Sequence, residues 1–232
     1  MRLDLIMRML KLAYWRRKKH KYYEAIITRL DWIRLKPFSN SLLFIDAGSN
    51  LGQGYRWFSK IYKHQDVVFD LFEPNPNCMS TLRKVVLETQ RKATIFNEAL
   101  ATKNGVMKFY GTAEDEGGRT SQGGSLNKQH NSLFYQASDD KSIEVISKNI
   151  NEYLLEKNSL YSKIVLKMDI EGGELDVLNS MLENQSMYCL ERIYKEFHSK
   201  YQREPYKSIT RKIEEKLINE MKGLGVKVRI WH

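Results

Sequence analysis

Cysteine is nearly absent from this chain. Cys78 and Cys189 are the only two among 232 residues, and they form neither a disulfide framework nor a metal-ligand spacing. A reducing, cytosolic setting fits that usage best. No apolar run approaches the roughly 18 residues that a membrane-spanning helix needs. The first residues do not read as a secretory signal. Asp4, Arg8 and Lys11 interrupt their apolar positions, and the basic run follows those positions instead of leading them. No internal repeat is visible.

What is present is ordinary for a soluble globular protein: 42% hydrophobic and 28% charged residues. The length suits one α/β domain with a small appendage. The net charge of +10 is less ordinary. It fits either an anionic partner, such as nucleic acid, a phosphorylated glycan or a membrane surface, or simply a basic surface. Five of the 38 Lys and Arg residues cluster in the run Trp15-Arg16-Arg17-Lys18-Lys19-His20-Lys21.

Periodicity divides the chain. Leu3, Ile6, Met7, Leu10 and Tyr14 recur at helical spacing, as do Tyr22, Ala25, Ile26, Leu30 and Ile33. Residues 1–40 therefore read as a basic N-terminal helical extension, either a cap on the domain or an amphipathic segment for a membrane or polyanion. From residue 41 to 232 the texture is that of a Rossmann-like domain. Leu42–Ala47 is a continuous apolar run, as in a strand buried on both faces. A helix is expected near Leu51–Tyr62, a strand at Val67–Phe72, a helix at Pro76–Thr89 and a third strand at Ala93–Leu100. Such alternation predicts a mostly parallel central sheet with flanking helices. Val106–Tyr110 reads as a short strand. Residues 111–140, rich in Gly, Ser, Gln and Asn, read as a long loop, either a lid over a site or a surface insertion. Further strands are expected at Ser142–Ser147, Ile164–Ile170, Arg192–Phe197 and Val226–Trp231. Helices are expected near Ile150–Lys157, from Gly172 to Leu182 and at Tyr206–Met221.

Two segments carry chemistry. The first is Asp46-Ala47-Gly48-Ser49-Asn50-Leu51-Gly52-Gln53-Gly54, which follows a strand and opens a helix. Its glycines let backbone approach a ligand, and amides at the helix N-terminus favour an anionic group. The spacing is G-x-x-x-G-x-G, not the G-x-G-x-x-G of a nicotinamide dinucleotide site. It suits S-adenosylmethionine better, since that cofactor offers a small carboxylate beside an ammonium and a sulfonium that Asp46 can favour. Glu73 ends the second strand, where a Rossmann-like fold holds ribose hydroxyls. Asn97 and Glu98, at the third strand end, are placed to border the adenine.

The second segment is Lys167-Met168-Asp169-Ile170-Glu171-Gly172-Gly173-Glu174. Asp169 and Glu171 alternate along the strand and share one face. Helix capping accounts for Glu171 and Glu174, but less well for Asp169. Glu196 and His198 also share a face. If the two strands are neighbours, Asp169, Glu171, Glu196 and His198 gather in one catalytic cluster, with His198 or Asp169 as proton acceptor. The spacing does not demand a metal. A divalent cation on Asp169, Glu171 and Glu196 that acidifies a hydroxyl is the alternative.

The three blocks Phe44–Gly52, Phe72–Pro76 and Leu166–Glu174, in this order and separation, resemble the FkbM family of methyltransferases. The resemblance spans about Leu42 to His198. It implies a Rossmann-like class I methyltransferase fold and methyl transfer from S-adenosylmethionine to a hydroxyl of a sugar, glycan or small natural product. It also implies Asp46, Gly48, Asn50 and Glu73 around the cofactor. The long 111–140 segment and the basic extension depart from the pattern and bear on the acceptor. The competing readings are a nucleic-acid methyltransferase using the basic run for phosphate contacts, and a cofactor-binding module without catalysis. No Asp/Asn-Pro-Pro-Tyr motif supports the former.

Overall fold

In the computed structural model, residues 41–62, 66–112, 123–128, 137–198 and 205–231 are described, together with Ile26. The basic run 15–21, almost all of the expected helical extension, and most of the 111–140 loop lie outside them.

Six strands form one sheet: β1 (Leu42–Ala47), β2 (Val67–Phe72), β3 (Ala93–Phe96), β7 (Lys163–Met168), β8 (Leu190–Lys195) and β9 (Lys227–Ile230). Their order is β3-β2-β1-β7-β8-β9, and every neighbouring pair is parallel. The chain runs outward from β1 to one edge, then returns to β7 and runs to the other. The order reverses between β1 and β7, which opens a crevice at their carboxyl ends, the position where doubly wound sheets bind ligands.

Helices cover both faces. α1 (Gln53–Ile61) and α2 (Met79–Thr89) lie on one side, and α3 (Ile150–Asn158), α4 (Glu174–Glu183) and α5 (Tyr206–Gly223) on the other. The alternation along β1 shows why. Leu42 and Phe44 point into the α1/α2 layer, while Leu43 and Ile45 point into the α3/α4/α5 layer, and all four are fully buried. Burying each such side chain contributes about 1.5–3 kcal/mol. Phe44 packs against Phe58, Tyr62 and Phe69 with ring centroids 4.6, 5.1 and 5.4 Å apart.

The expected third strand, Ala93–Leu100, is two strands in two sheets. β3 stays in the main sheet, and β4 (Glu98–Ala101) leaves it for a second sheet of order β4-β6-β5, with β5 at Gly105–Phe109 and β6 at Ile143–Asn149. The break falls at Asn97, whose Nδ2 donates to the carbonyls of Glu73 (2.9 Å) and Pro74 (3.0 Å). No glycine or proline marks this break. β4 pairs parallel and β5 antiparallel with β6. The helix expected from Pro76 begins as a 3-10 turn, Pro76–Cys78, capped by the Asn75 side chain, before α2. The strand expected to reach Ile170 ends at Met168, because Glu171 and Gly172 adopt φ of 52° and 93°. Among the described residues no helix is long and apolar enough to cross a membrane.

Candidate active site

A cavity of about 740 Å³ lies in the crevice. That is within the range of about 300–1,000 Å³ usual for ligand sites. Its floor is the β1 loop and the β2 and β7 ends, and its roof comes from the second sheet and Gly124–Lys128 of the long loop.

At one end stands Glu73, buried yet lining the cavity. Its Oε2 accepts from the amide of Asn50 and its Oε1 from the amide of Asn75, each at 2.8 Å. Burial pushes this carboxyl up to about 7, against the lowering effect of the two amides. A carboxylate has about four acceptor positions, so two backbone bonds leave capacity for ligand hydroxyls.

The loop between β1 and α1 differs from the expected amide cradle. The amides of Gly48 and Ser49 both donate to the Phe72 carbonyl at 3.0 Å, and that of Gly52 donates to the Ser49 carbonyl at 2.8 Å. With Asn50 donating to Glu73, these four amides hold the loop to the protein itself. Gly48 is required for another reason: a Cβ there would lie 1.8 Å from the Asp169 carbonyl oxygen. Asp169 donates in turn from its amide to the Ala47 carbonyl, 3.1 Å away, so the two loops are locked together.

Asp46 does not line the cavity. It is fully buried beneath it, where Lys167 Nζ lies 3.0 Å from its carboxylate. Burial raises the Asp46 carboxyl, and the ammonium opposes that rise. Lys167 also donates to the Gly48 carbonyl at 2.8 Å and lies 3.4 Å from Asp169. These acceptors outweigh the lysine's own burial and hold it firmly charged.

The other end of the cavity is built from charge. β7 and β8 are neighbours, and Asp169, Glu171, Glu196 and His198 all line the cavity there. His198 Nε2 lies 3.1 Å from Glu171 and 3.6 Å from Asp169, and its Nδ1 meets Glu174 at 2.8 Å. Glu174 is buried and also accepts from the amides of Ile170 (3.3 Å) and Gly172 (2.9 Å), so it ties down the loop before α4, which has no side-chain cap, and fixes the imidazole at once. Burial alone would lower His198; its hydrogen bonds to Glu171 and Glu174, and their charges, push it up to about 11. The imidazole is thus a cation near neutral pH, which suits holding carboxylates better than taking a proton. Asp169, Glu196 and His198 each bring one possible ligand atom within 4.8 Å of the others, but the imidazole can ligate an ion only after losing its proton.

The structure thus gathers all four expected catalytic residues. Of the expected cofactor residues, Gly48, Ser49, Asn50 and Glu73 line the cavity, and Asp46, Gly52, Asn97 and Glu98 do not. Gly52 turns the chain at φ 85° against Leu82 and Val85 of α2. Asn97 braces the Glu73–Pro74 turn, and Glu98 lines a shallow groove on the second sheet instead. The wall on the β4 side is Ala99–Thr102. Sequence reading also passed over Lys167, Trp57 and Trp231. Only Lys167, a lysine after the apolar run Ile164–Leu166 in the interior of β7, carried a visible signal.

Residues 46–217 match the family described as Methyltransferase FkbM domain. A relative named Methyltransferase 1, from Beauveria bassiana (strain ARSEF 2860), is 26% identical over 156 residues, which cover 62% of this chain and 60% of that protein. Among solved structures, Methyltransferase FkbM from Methylobacillus flagellatus KT is similar over 78% of this chain and 39% of its own, at TM-score 0.45 and 14% identity. With three quarters of its length matched, including both loops that meet at Gly48, the chain belongs to the FkbM methyltransferase family.

Proposed function

We propose that the protein transfers a methyl group from S-adenosylmethionine to a hydroxyl of a sugar, glycan or small natural product. The observation that carries this reading is Glu73: a buried carboxylate at the β2 end, on the cavity wall, with acceptor capacity left after its two backbone bonds. It suits the two ribose hydroxyls of an adenosine. The loop amides, spent inside the protein, speak against a pyrophosphate and so against a dinucleotide.

The cofactor supplies a methyl already activated on a sulfonium. The chain has to align donor and acceptor and to receive one proton. Asp169 is the residue assigned to the proton. Its backbone touches Gly48 at the cofactor end, and its carboxylate reaches the acceptor end, 23% exposed. A hydroxyl held at the acceptor end would give up its proton to Asp169, and from there to solvent, as its oxygen takes the methyl group. Lys167 and His198, cationic on either side, hold that carboxylate in place, and Glu174 fixes His198. Gly124, Leu126, Asn127 and Lys128 line the cavity and would limit the access of water.

A screen of hydroxylated acceptors with cofactor labelled in its methyl group tests this. Label on an acceptor oxygen is the expected result; label found on nitrogen or carbon only would overturn the assignment. The carboxylates that line the acceptor end outnumber its cations, which speaks against a phosphate-bearing acceptor and so against the nucleic-acid reading.

A further inference from the structure

Two tryptophans, Trp57 and Trp231, stand on the cavity wall. Trp57 lies one helical turn after Gln53 on α1, and both line the cavity. Trp231 follows β9, and its amide donates to the Lys195 carbonyl at 2.8 Å, which sets it beside Glu196. The two indoles meet at 5.2 Å between centroids, tilted by 62°. Phe58, fully buried, braces both: it lies 4.8 Å from Trp57 edge-on and 4.9 Å from Trp231. The wall is therefore aromatic and braced from behind, and Trp231 follows β9, next to β8 and Glu196, whereas Glu73 follows β2, on the far side of β1 and β7.

The groups near it have one dominant charge. Apart from Glu73, four carboxylates, Asp169, Glu171, Asp176 and Glu196, line the cavity with three cations, Lys128, Lys167 and His198, and each cation is also paired with a carboxylate off the wall, Asp139, Asp46 and Glu174 in turn, so the balance is acidic. Carboxylates accept several hydroxyl hydrogens at once, and an aromatic face takes the C–H face of a ring. A ligand that satisfies both has a rim of hydroxyls, an apolar face and no negative charge. Anionic ligands meet like charge in a partly desolvated cavity.

We propose that Trp57 and Trp231 form the acceptor subsite and select an uncharged sugar ring, held on its C–H face with its hydroxyl rim toward Asp169 and Glu196. Uronic acids and sugar phosphates are excluded by the carboxylates. This proposal rests on the methyl-transfer reading and adds to it the two residues that choose the acceptor.

The test uses the full chain saturated with cofactor and a panel of neutral methyl glycosides, the matching uronates and simple phenols. Neutral glycosides are expected to shift the tryptophan emission and to take label. Trp57→Leu is expected to raise KM for the best glycoside roughly tenfold, the size of one aromatic contact, while kcat changes much less. Trp57→Phe should restore most of that loss. Heat of cofactor binding, measured on each variant, shows that it is folded. Unchanged KM in a Trp57→Leu protein that binds cofactor would overturn the proposal. So would uronates or phenols accepted as well as neutral glycosides, or a panel without any neutral acceptor. In each of these cases retained cofactor heat leaves the donor reading standing, whereas loss of that heat in the unaltered protein would remove both.

Discussion

The two ends of the cavity are built on different principles. The end at Glu73 is made by backbone: four loop amides bonded within the protein, a glycine that admits no Cβ, and one carboxylate held by two amides. The end at His198 is made by side-chain charge: three carboxylates and an imidazolium, with Lys167 tying them to the loop beneath. A backbone-built end tolerates little change but fits one constant ligand. A charge-built end can be re-tuned by single substitutions.

Gly48 is where the two ends touch, so it is the place to break the contrast. Gly48→Ala sets a Cβ against the Asp169 carbonyl and strains a φ of 77°. The expected loss is roughly 2–5 kcal/mol of stability, read by thermal or denaturant unfolding. Asp169→Asn separates the ends. Turnover should fall about 10²–10⁴-fold, as for loss of a general base, while cofactor affinity stays close to that of the unaltered protein. Equal losses in both would show that Asp169 serves the loop and not the reaction.

Glu73 sharpens the cofactor end through pH. Its folded value of about 7 lies above the ordinary 4.5, so the folded state holds the proton more tightly. Its contribution to stability is therefore lost as pH rises from about 4.5 through about 7. The ionised form is the one that accepts two hydroxyls, so cofactor affinity should rise between pH 6 and pH 8. Glu73→Gln should flatten that dependence and weaken binding by roughly 10–100-fold, the range for one or two hydrogen bonds to a charged group. The smallest effect belongs to a control outside both ends. Arg56 and Glu88 pair at 2.7 Å on the surface, both more than half exposed. Arg56→Ala should cost no more than about 0.5 kcal/mol and leave binding and turnover alone.

The same contrast governs what could be read from the chain. The backbone-built end was legible as spacing: a strand, a glycine loop, a helix, and an acid at the next strand end. What sequence misjudged there was contact. Asp46 looked like a ligand residue but is buried against Lys167, because a strand-end residue can face either layer of the sheet and the pattern does not say which. Asn97 and Glu98 were misplaced because the Ala93–Leu100 run hides a turn between two sheets, fixed by long-range bonds from Asn97. At the charged end, Asp169, Glu171, Glu196 and His198 do come together, but in the loops that follow the neighbouring strands β7 and β8 and not by alternation along them. The pattern could not reveal that Glu174 and Glu171 hold the imidazole as a cation. Trp57 and Trp231, from opposite ends of the domain, meet only once the sheet is ordered.

The central claim is that the backbone-built end holds S-adenosylmethionine. Isothermal titration of the full chain with that cofactor, beside NAD under the same conditions, tests it most directly. The account predicts saturable heat at one site for S-adenosylmethionine, diminished in Glu73→Gln, and none for NAD. A folded protein that gives heat with NAD and none with S-adenosylmethionine would contradict it.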